Sequence, residues 1–146
     1  MEKIDTNARG KIRILVADDD QELLWIAART LELEGFDVAT AKDGDMALAL
    51  LPKFQPDLVV LDVMMPGLNG YEVLDLIRKR SDVPVLMLTA LSGIDSLEKS
   101  VDLGADGYVT KPFRIPELIA RIRALLRRAK RSKKTSSDLA VVGCPI

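Results

Sequence analysis

Three consecutive aspartates, Asp18, Asp19 and Asp20, follow directly on the apolar run Ile12 to Ala17, and a fourth, Asp62, closes the run Asp57 to Leu61. An apolar run that stops abruptly at charged residues reads as a buried strand arriving at a functional loop. Two further runs end in the same manner: Val83 to Leu88 meets Thr89, and Asp106 to Val109 is followed shortly by Lys111. If the fold gathers these ends, several carboxylates share a small volume. Their repulsion must then raise their pKa values or be met by a hard cation. The chain contains no histidine, so neither an imidazole base nor a His-ligated metal is on offer. Oxygen donors alone suit Mg²⁺, held at about 2.0–2.1 Å with several waters retained. Lys111 adds a point charge fitted to a phosphate oxygen and Thr89 a hydroxyl donor. These are the parts for phosphoryl transfer to a carboxylate, in which positioning and charge neutralisation carry most of the catalysis. Asp62 is the expected nucleophile. Asp20 has a simpler role open to it, as N-cap of the helix that begins at Gln21.

The elements that must position these residues alternate along the chain. Strands are expected at Ile12 to Ala17, Phe36 to Thr40, Asp57 to Leu61, Val83 to Leu88 and Asp106 to Val109. Helices are expected at Gln21 to Glu34, Asp43 to Lys53, Tyr71 to Arg80, Ser96 to Leu103 and Pro116 to about Lys130. In the first helix Leu24, Ala27, Ala28 and Leu31 recur at helical spacing, and Gly35 stands where a C-terminal cap is needed. Near-continuously apolar strands separated by amphipathic helices imply an α/β fold, a five-stranded parallel sheet covered on both faces. In such sheets the ligand site lies at the carboxyl ends of the strands, where all of the residues named above fall.

Composition narrows the class further. Of the 146 residues, 48% are hydrophobic and 29% charged, the profile of one globular domain. A formal charge of −1 gives no overall field toward nucleic acid, and no apolar stretch is long enough to span a membrane. With Cys144 as the one cysteine, a reducing cytoplasm is the expected compartment. Residues 1–10 read as a polar lead and residues 11–130 as the folded domain. The basic residues from Arg121 onward pass into Ser132, Thr135, Ser136 and Ser137, so residues 131–146 read as a linker and the start of a truncated further domain.

Four segments in order carry a family resemblance: Val16-Ala17-Asp18-Asp19-Asp20, Leu61-Asp62-Val63-Met64-Met65-Pro66-Gly67-Leu68-Asn69-Gly70, Thr89-Ala90, and Gly104-Ala105-Asp106-Gly107-Tyr108-Val109-Thr110-Lys111-Pro112-Phe113. Together they resemble the receiver domain of bacterial response regulators in two-component systems, a CheY-like fold with strand order 2-1-3-4-5. The resemblance covers roughly Lys11 to Arg128. It implies that Asp62 takes a phosphoryl group from a sensor histidine kinase or a small phosphodonor. It further implies that Asp19, Asp62 and the Met64 backbone carbonyl bind Mg²⁺ directly and Asp18 through water. Lys111 would pair with the phosphoryl oxygens, the Lys111-Pro112 bond would be cis, and Thr89 with Ala90, Tyr108 and Pro112 would form the phosphate-contact and switch region. Asn69 and Gly70 are expected to shape the loop and the next helix start.

The final segment resembles the OmpR/PhoB subclass, in which a DNA-binding domain follows, so transcription regulation through a C-terminal domain outside this chain is implied. A stand-alone receiver acting through protein contacts is the alternative. The subclass also implies phosphorylation-dependent dimerisation, and Asp106, Glu117, Arg121 and Arg128 fit its charged pattern. Gly107 stands where a second Asp is usual and Leu97 where a basic residue is usual. Trp25, Ile26 and Arg29 on the first helix are placed to meet a kinase. Met64 and Leu91 are apolar where some receivers place groups that orient the hydrolytic water, so a phosphoryl group lasting minutes or longer is expected. A haloacid-dehalogenase-like phosphohydrolase would use Asp18 and Asp20 but needs a cap domain. A flavodoxin-like FMN carrier would need a neutral phosphate loop where three aspartates stand.

Overall fold

The computed structural model describes residues 10–90 and 104–142, with side chains as far as Lys130. Strands β1 (Arg13–Ala17), β2 (Asp37–Ala41), β3 (Leu58–Asp62), β4 (Val85–Thr89) and β5 (Gly107–Thr110) form one parallel sheet in the order β2-β1-β3-β4-β5. Four helices belong to the described residues: α1 (Gln21–Leu33), α2 (Gly44–Phe54), α3 (Gly70–Arg78) and α4 (Ile115–Val142). The helix expected at Ser96 to Leu103, and with it Leu91 and Leu97, lies outside them.

Alternation along each strand sends side chains to two cores. Leu15, Val59, Leu61, Val85 and Met87 pack with α2 and α3 through Ala47, Leu51, Val73, Leu74 and Ile77. Ile14, Val16, Leu58, Val60, Leu86 and Leu88 pack with α1 and α4 through Leu24, Ala27, Leu31, Leu118 and Ile122. Because β1, β3 and β4 are covered on both faces, they must be apolar at nearly every position. Among the described residues no helix is long and apolar enough to cross a membrane.

Local chemistry starts each helix where the sequence signals it. The Asp20 carboxylate accepts from Glu22 N and Leu23 N at 3.1 and 3.2 Å, satisfying otherwise unpaired first-turn amides of α1. Asp43 caps α2 by accepting from Met46 N at 2.8 Å. At α3 a full capping box forms: Asn69 Oδ1 accepts from Glu72 N at 3.0 Å, while Glu72 Oε1 accepts from Asn69 N at 2.9 Å. Gly35, with φ +99°, ends α1 in a conformation that favours glycine.

Helix α4 departs from expectation by running to Val142, well past Lys130. Lys, Arg and Ala are good helix formers, and Gly143 is the first residue after Ile115 that strongly opposes a helix while Pro116 sits harmlessly in the first turn. The Ser and Thr residues that suggest a linker are only weakly unfavourable in a helix.

Candidate functional site

The β1–β3 junction is where the strand order reverses, since β1 has β2 on one side and β3 on the other. Parallel sheets bind ligands at such a point. Ala17 is paired with Leu61, so the next residues, Asp18 and Asp62, leave the sheet side by side. Asp62 is paired with Leu88, one residue before Thr89, and Thr89 with Thr110, one residue before Lys111. A bond from Lys111 N to Thr89 O at 2.7 Å ties the last two strand ends together. The sheet register thus gathers the four segments on one edge.

Carboxylate oxygens of Asp18, Asp19 and Asp62 lie within 4.8 Å of one another. Asp18 and Asp62 are buried, whereas Asp19 is exposed. Asp18 Oδ1 accepts from Asp20 N at 2.9 Å, and its Oδ2 accepts from Lys111 Nζ at 2.9 Å. The same ammonium is 3.4 Å from Asp62 Oδ1, which also accepts from Met64 N at 3.3 Å. Burial first, and then the charge of Asp18, pushes the Asp62 carboxyl up to about 7 despite the opposing pull of Lys111. Burial works against the Lys111 ammonium, but the hydrogen bond and charge of Asp18, joined by Asp62, outweigh it and hold its pKa above the ordinary lysine value.

Three carboxylates facing one ammonium leave an excess of negative charge that a divalent cation would balance. The donors are all hard oxygens, and two of them are buried in fixed positions. This set fits Mg²⁺ rather than a soft transition metal.

Other expected residues are distributed more widely. Thr89 is buried at the end of β4, with Ala90 exposed after it. The Lys111-Pro112 peptide is cis. Tyr108 is on β5 with a side chain more than a third exposed, and the Met64 side chain is exposed beside Asp62. Trp25 and Ile26 are exposed on α1, with the Arg29 guanidinium 5.7 Å from the Trp25 ring centroid. Glu117, Arg121 and Arg128 are exposed on α4. Asp106 is engaged within the chain: its Oδ2 accepts from Arg78 Nη2 at 2.7 Å and from Val85 N at 2.8 Å. Gly107 sits beneath α4, where a Cβ would come within 3.3 Å of Leu86 and 3.5 Å of Leu125.

Two contributions go beyond the sequence reading, the close approach at Gly70, expected only to shape the helix start, and the bridging by Arg78. A Cβ on Gly70 would overlap the Asp62 carbonyl oxygen and lie 2.7 Å from Val63 Cα, so this glycine lets α3 press directly on the strand end carrying Asp62. An Asn-Gly pair before a helix is the available signal, and it suggests only a turn. Arg78 donates to the carbonyls of Gly104, Ser81 and Val83 as well as to Asp106, joining the end of α3 to the approaches of β4 and β5. Nothing local in the sequence distinguishes that arginine from a solvated one.

The response regulator receiver domain family matches residues 14–123. This chain belongs to that family. Receiver domains are signalling switches rather than conventional enzymes. The chain is 51% identical over 122 residues to the probable transcriptional regulator ycf27 of Galdieria sulphuraria, covering 84% of this chain and 48% of that protein. The receiver domain protein (CheY-like) of Methanospirillum hungatei superposes with a TM-score of 0.79 at 28% identity, over 84% of this chain and 98% of that one. Response regulator DrrB of Thermotoga maritima, described as an OmpR/PhoB homolog, gives a TM-score of 0.74 at 38% identity, over 82% and 54% of the two chains. This receiver chain spans about half the length of the curated relatives it matches.

Proposed function

We propose that Asp62 accepts a phosphoryl group from the phosphohistidine of a sensor kinase, or from a small acyl phosphate, and that the resulting charge switches the receiver surface. The observation that carries this reading is the buried Asp62 carboxylate held beside Asp18, Asp19 and Lys111 at the sheet's reversal point. An Asp62 oxygen attacks phosphorus, an O–P bond forms, and the P–N or P–O bond to the donor breaks as imidazole or carboxylate leaves. Asp19 and Asp62, with the Met64 carbonyl, would hold Mg²⁺, and Asp18 would act on it through water. Bound there, the ion supplies positive charge against the oxygens that become negative during transfer. Lys111 meets a phosphoryl oxygen as a point charge. Thr89 donates its hydroxyl to another, and Ala90, Tyr108 and Pro112 belong to the segments that respond.

On this reading the protein works in the cytoplasm and regulates transcription through a DNA-binding domain beyond this chain. Residues 1–10, 11–130 and 131–146 serve as lead, receiver and connection. Exposed Trp25 and Ile26 face the kinase. Trp25→Ala is expected to slow transfer from the kinase but not from acetyl phosphate; equal slowing of both would remove α1 from that role.

Intact-protein mass after incubation with Mg²⁺ and acetyl phosphate tests the central claim. One phosphoryl adduct is expected on the wild type, persisting for minutes after the donor is removed, and none on Asp62→Asn or with EDTA. An adduct on Asp62→Asn would overturn the assignment.

A further inference from the structure

Leu33 is the most exposed large apolar side chain among the described residues, with 82% of its surface open. It ends α1 with Glu32 and Glu34 on either side, both exposed. The Glu34 carboxylate is taken by Arg123 at 2.7 Å, whereas the Glu32 side chain has no ion pair or hydrogen bond among the described residues. Nor does the helix use that charge: a carboxylate near a helix C-terminus opposes the dipole, and the last turn of α1 has no basic residue to offset it. A complementary recess lies elsewhere on the same chain. A cavity of about 390 Å³ is walled by Leu51, Pro52, Pro56 and Val83, with the exposed Arg80 beside them. The Arg80 guanidinium likewise has no partner among the described residues. Exposed Lys53 and Lys79 add positive charge nearby, Lys79 lying 3.6 Å from Asp75, against the single carboxylate of Asp82. Leu33 leads into β2, residues 51–56 into β3 and residues 80–83 into β4, so knob and recess share the amino edge of the sheet, opposite the edge that carries Asp62. They sit on different faces, Leu33 on the α1 side and Leu51 with Val83 on the α2 and α3 side, so a copy does not fill its own recess.

We propose that two copies of this chain meet amino edge to amino edge, Leu33 of each entering the recess between Leu51 and Val83 of the other and Glu32 of each pairing with Arg80. A lone knob in a recess on another copy would go on adding copies end to end; with both on one edge, a two-fold axis passing between them makes the two contacts at once and closes the pair. Both halves of the contact are on this chain, in shape and in charge, which favours a second copy over a foreign peptide. The pairing goes beyond the function proposed above and does not rest on it. It leaves Asp62 free at the far edge, and Trp25, eight residues and about 12 Å up α1 from Leu33, stays outside the contact. One apolar side chain and one ion pair per copy make a small contact, so the pair belongs with weak, transient interfaces.

Sedimentation velocity of the full chain, with EDTA and without a phosphodonor, tests this apart from any phosphorylation. Over a range from about 20 μM to 1 mM, a dissociation constant on the order of 0.3 mM is expected, giving mostly monomer at the low end and mostly dimer at the high end. Leu33→Gln, which keeps the helix, and Arg80→Glu are each expected to raise that constant at least about tenfold. Both positions are exposed, so the melting temperatures should match the wild type. Glu32→Arg alone should weaken the pair in the same way, and Glu32→Arg combined with Arg80→Glu should return it to within about threefold of the wild type, because the ion pair is remade in reverse. Lys42→Glu makes the same charge change as Arg80→Glu on an exposed residue just past β2, at the other edge, and should associate like the wild type. A chain that stays monomeric at the highest concentration, no loss with Leu33→Gln, a charge reversal that restores nothing, or species that grow past the dimer would each overturn the proposal.

Discussion

Asp62 is held by the fold in a place that resists its ionisation, and this has two measurable consequences. With its carboxyl pushed up to about 7 in the absence of metal, a proton and Mg²⁺ compete for the same oxygens. The apparent Mg²⁺ dissociation constant measured by calorimetry should therefore rise about tenfold per pH unit below 7 and level off above it. A flat profile between pH 5 and 8 would show that Asp62 is ionised throughout. Stability carries the opposite sign to that of a salt-bridged carboxylate. The unfolded chain releases the Asp62 proton near 3.8 and the folded chain near 7, so between these values the folded state holds more protons and loses stability as pH rises. Asp62→Asn removes that term while keeping an oxygen for Met64 N. In metal-free thermal melts it should exceed the wild type at pH 8, with the gap closing toward pH 4 and on adding Mg²⁺. The convergence of Asp18, Asp19, Asp62, Thr89 and Lys111 was legible in sequence because each lies at or within two residues of the end of an apolar run, and the sheet register does the rest. The commitment of Asp106 to Arg78 was not, because it depends on a contact 28 residues apart in the chain.

Elements matter to the site through how closely they approach the strand ends. Helix α3 starts against Asp62 and Val63, where Gly70 N donates to Val63 O at 2.8 Å and no Cβ can be accommodated. Gly70→Ala must push α3 away from backbone atoms that cannot rotate aside. It should cost about 3 kcal/mol or more in denaturant unfolding and slow phosphorylation by displacing Asp62. Asn69→Ala, which breaks the capping box one residue earlier without touching β3, should cost about 1 kcal/mol and leave phosphorylation near the wild-type rate. Comparable losses in the two variants would mean that the close approach is not what matters. The five strands and the first three helices were readable to within a residue or two because core-facing periodicity is strong. The end of α4 was misjudged for the complementary reason, since from Arg127 onward the sequence shows no apolar periodicity and only weak propensities remain to be read.

At the scale of the whole molecule, the charged face expected to pair receivers is not made of equivalent residues. Glu117, Arg121 and Arg128 are exposed on α4, while Asp106 serves the monomer by bridging the end of α3 to the start of β4 through Arg78 and Val85. Gly107 under Leu125 offers no replacement carboxylate. Removing Asp106 leaves Val85 N without that acceptor and Arg78 with its three carbonyl partners, Gly104, Ser81 and Val83. The Arg78–Asp106 pair is partly exposed, which places the loss near the lower end for a charge-assisted hydrogen bond, about 1.5–2 kcal/mol. Asp106→Ala should therefore lower the melting temperature of the unphosphorylated monomer, whereas Arg121→Ala should leave it within about 0.5 kcal/mol of the wild type. Sedimentation of the acetyl-phosphate-treated proteins, at a temperature where all are folded, separates the roles. If Asp106 stays with Arg78 after phosphorylation, Arg121→Ala weakens any dimer and Asp106→Ala does not. If both substitutions weaken it, Asp106 must let go of Arg78 in the phosphorylated state, and the clamp joining α3, β4 and β5 would itself be part of the switch.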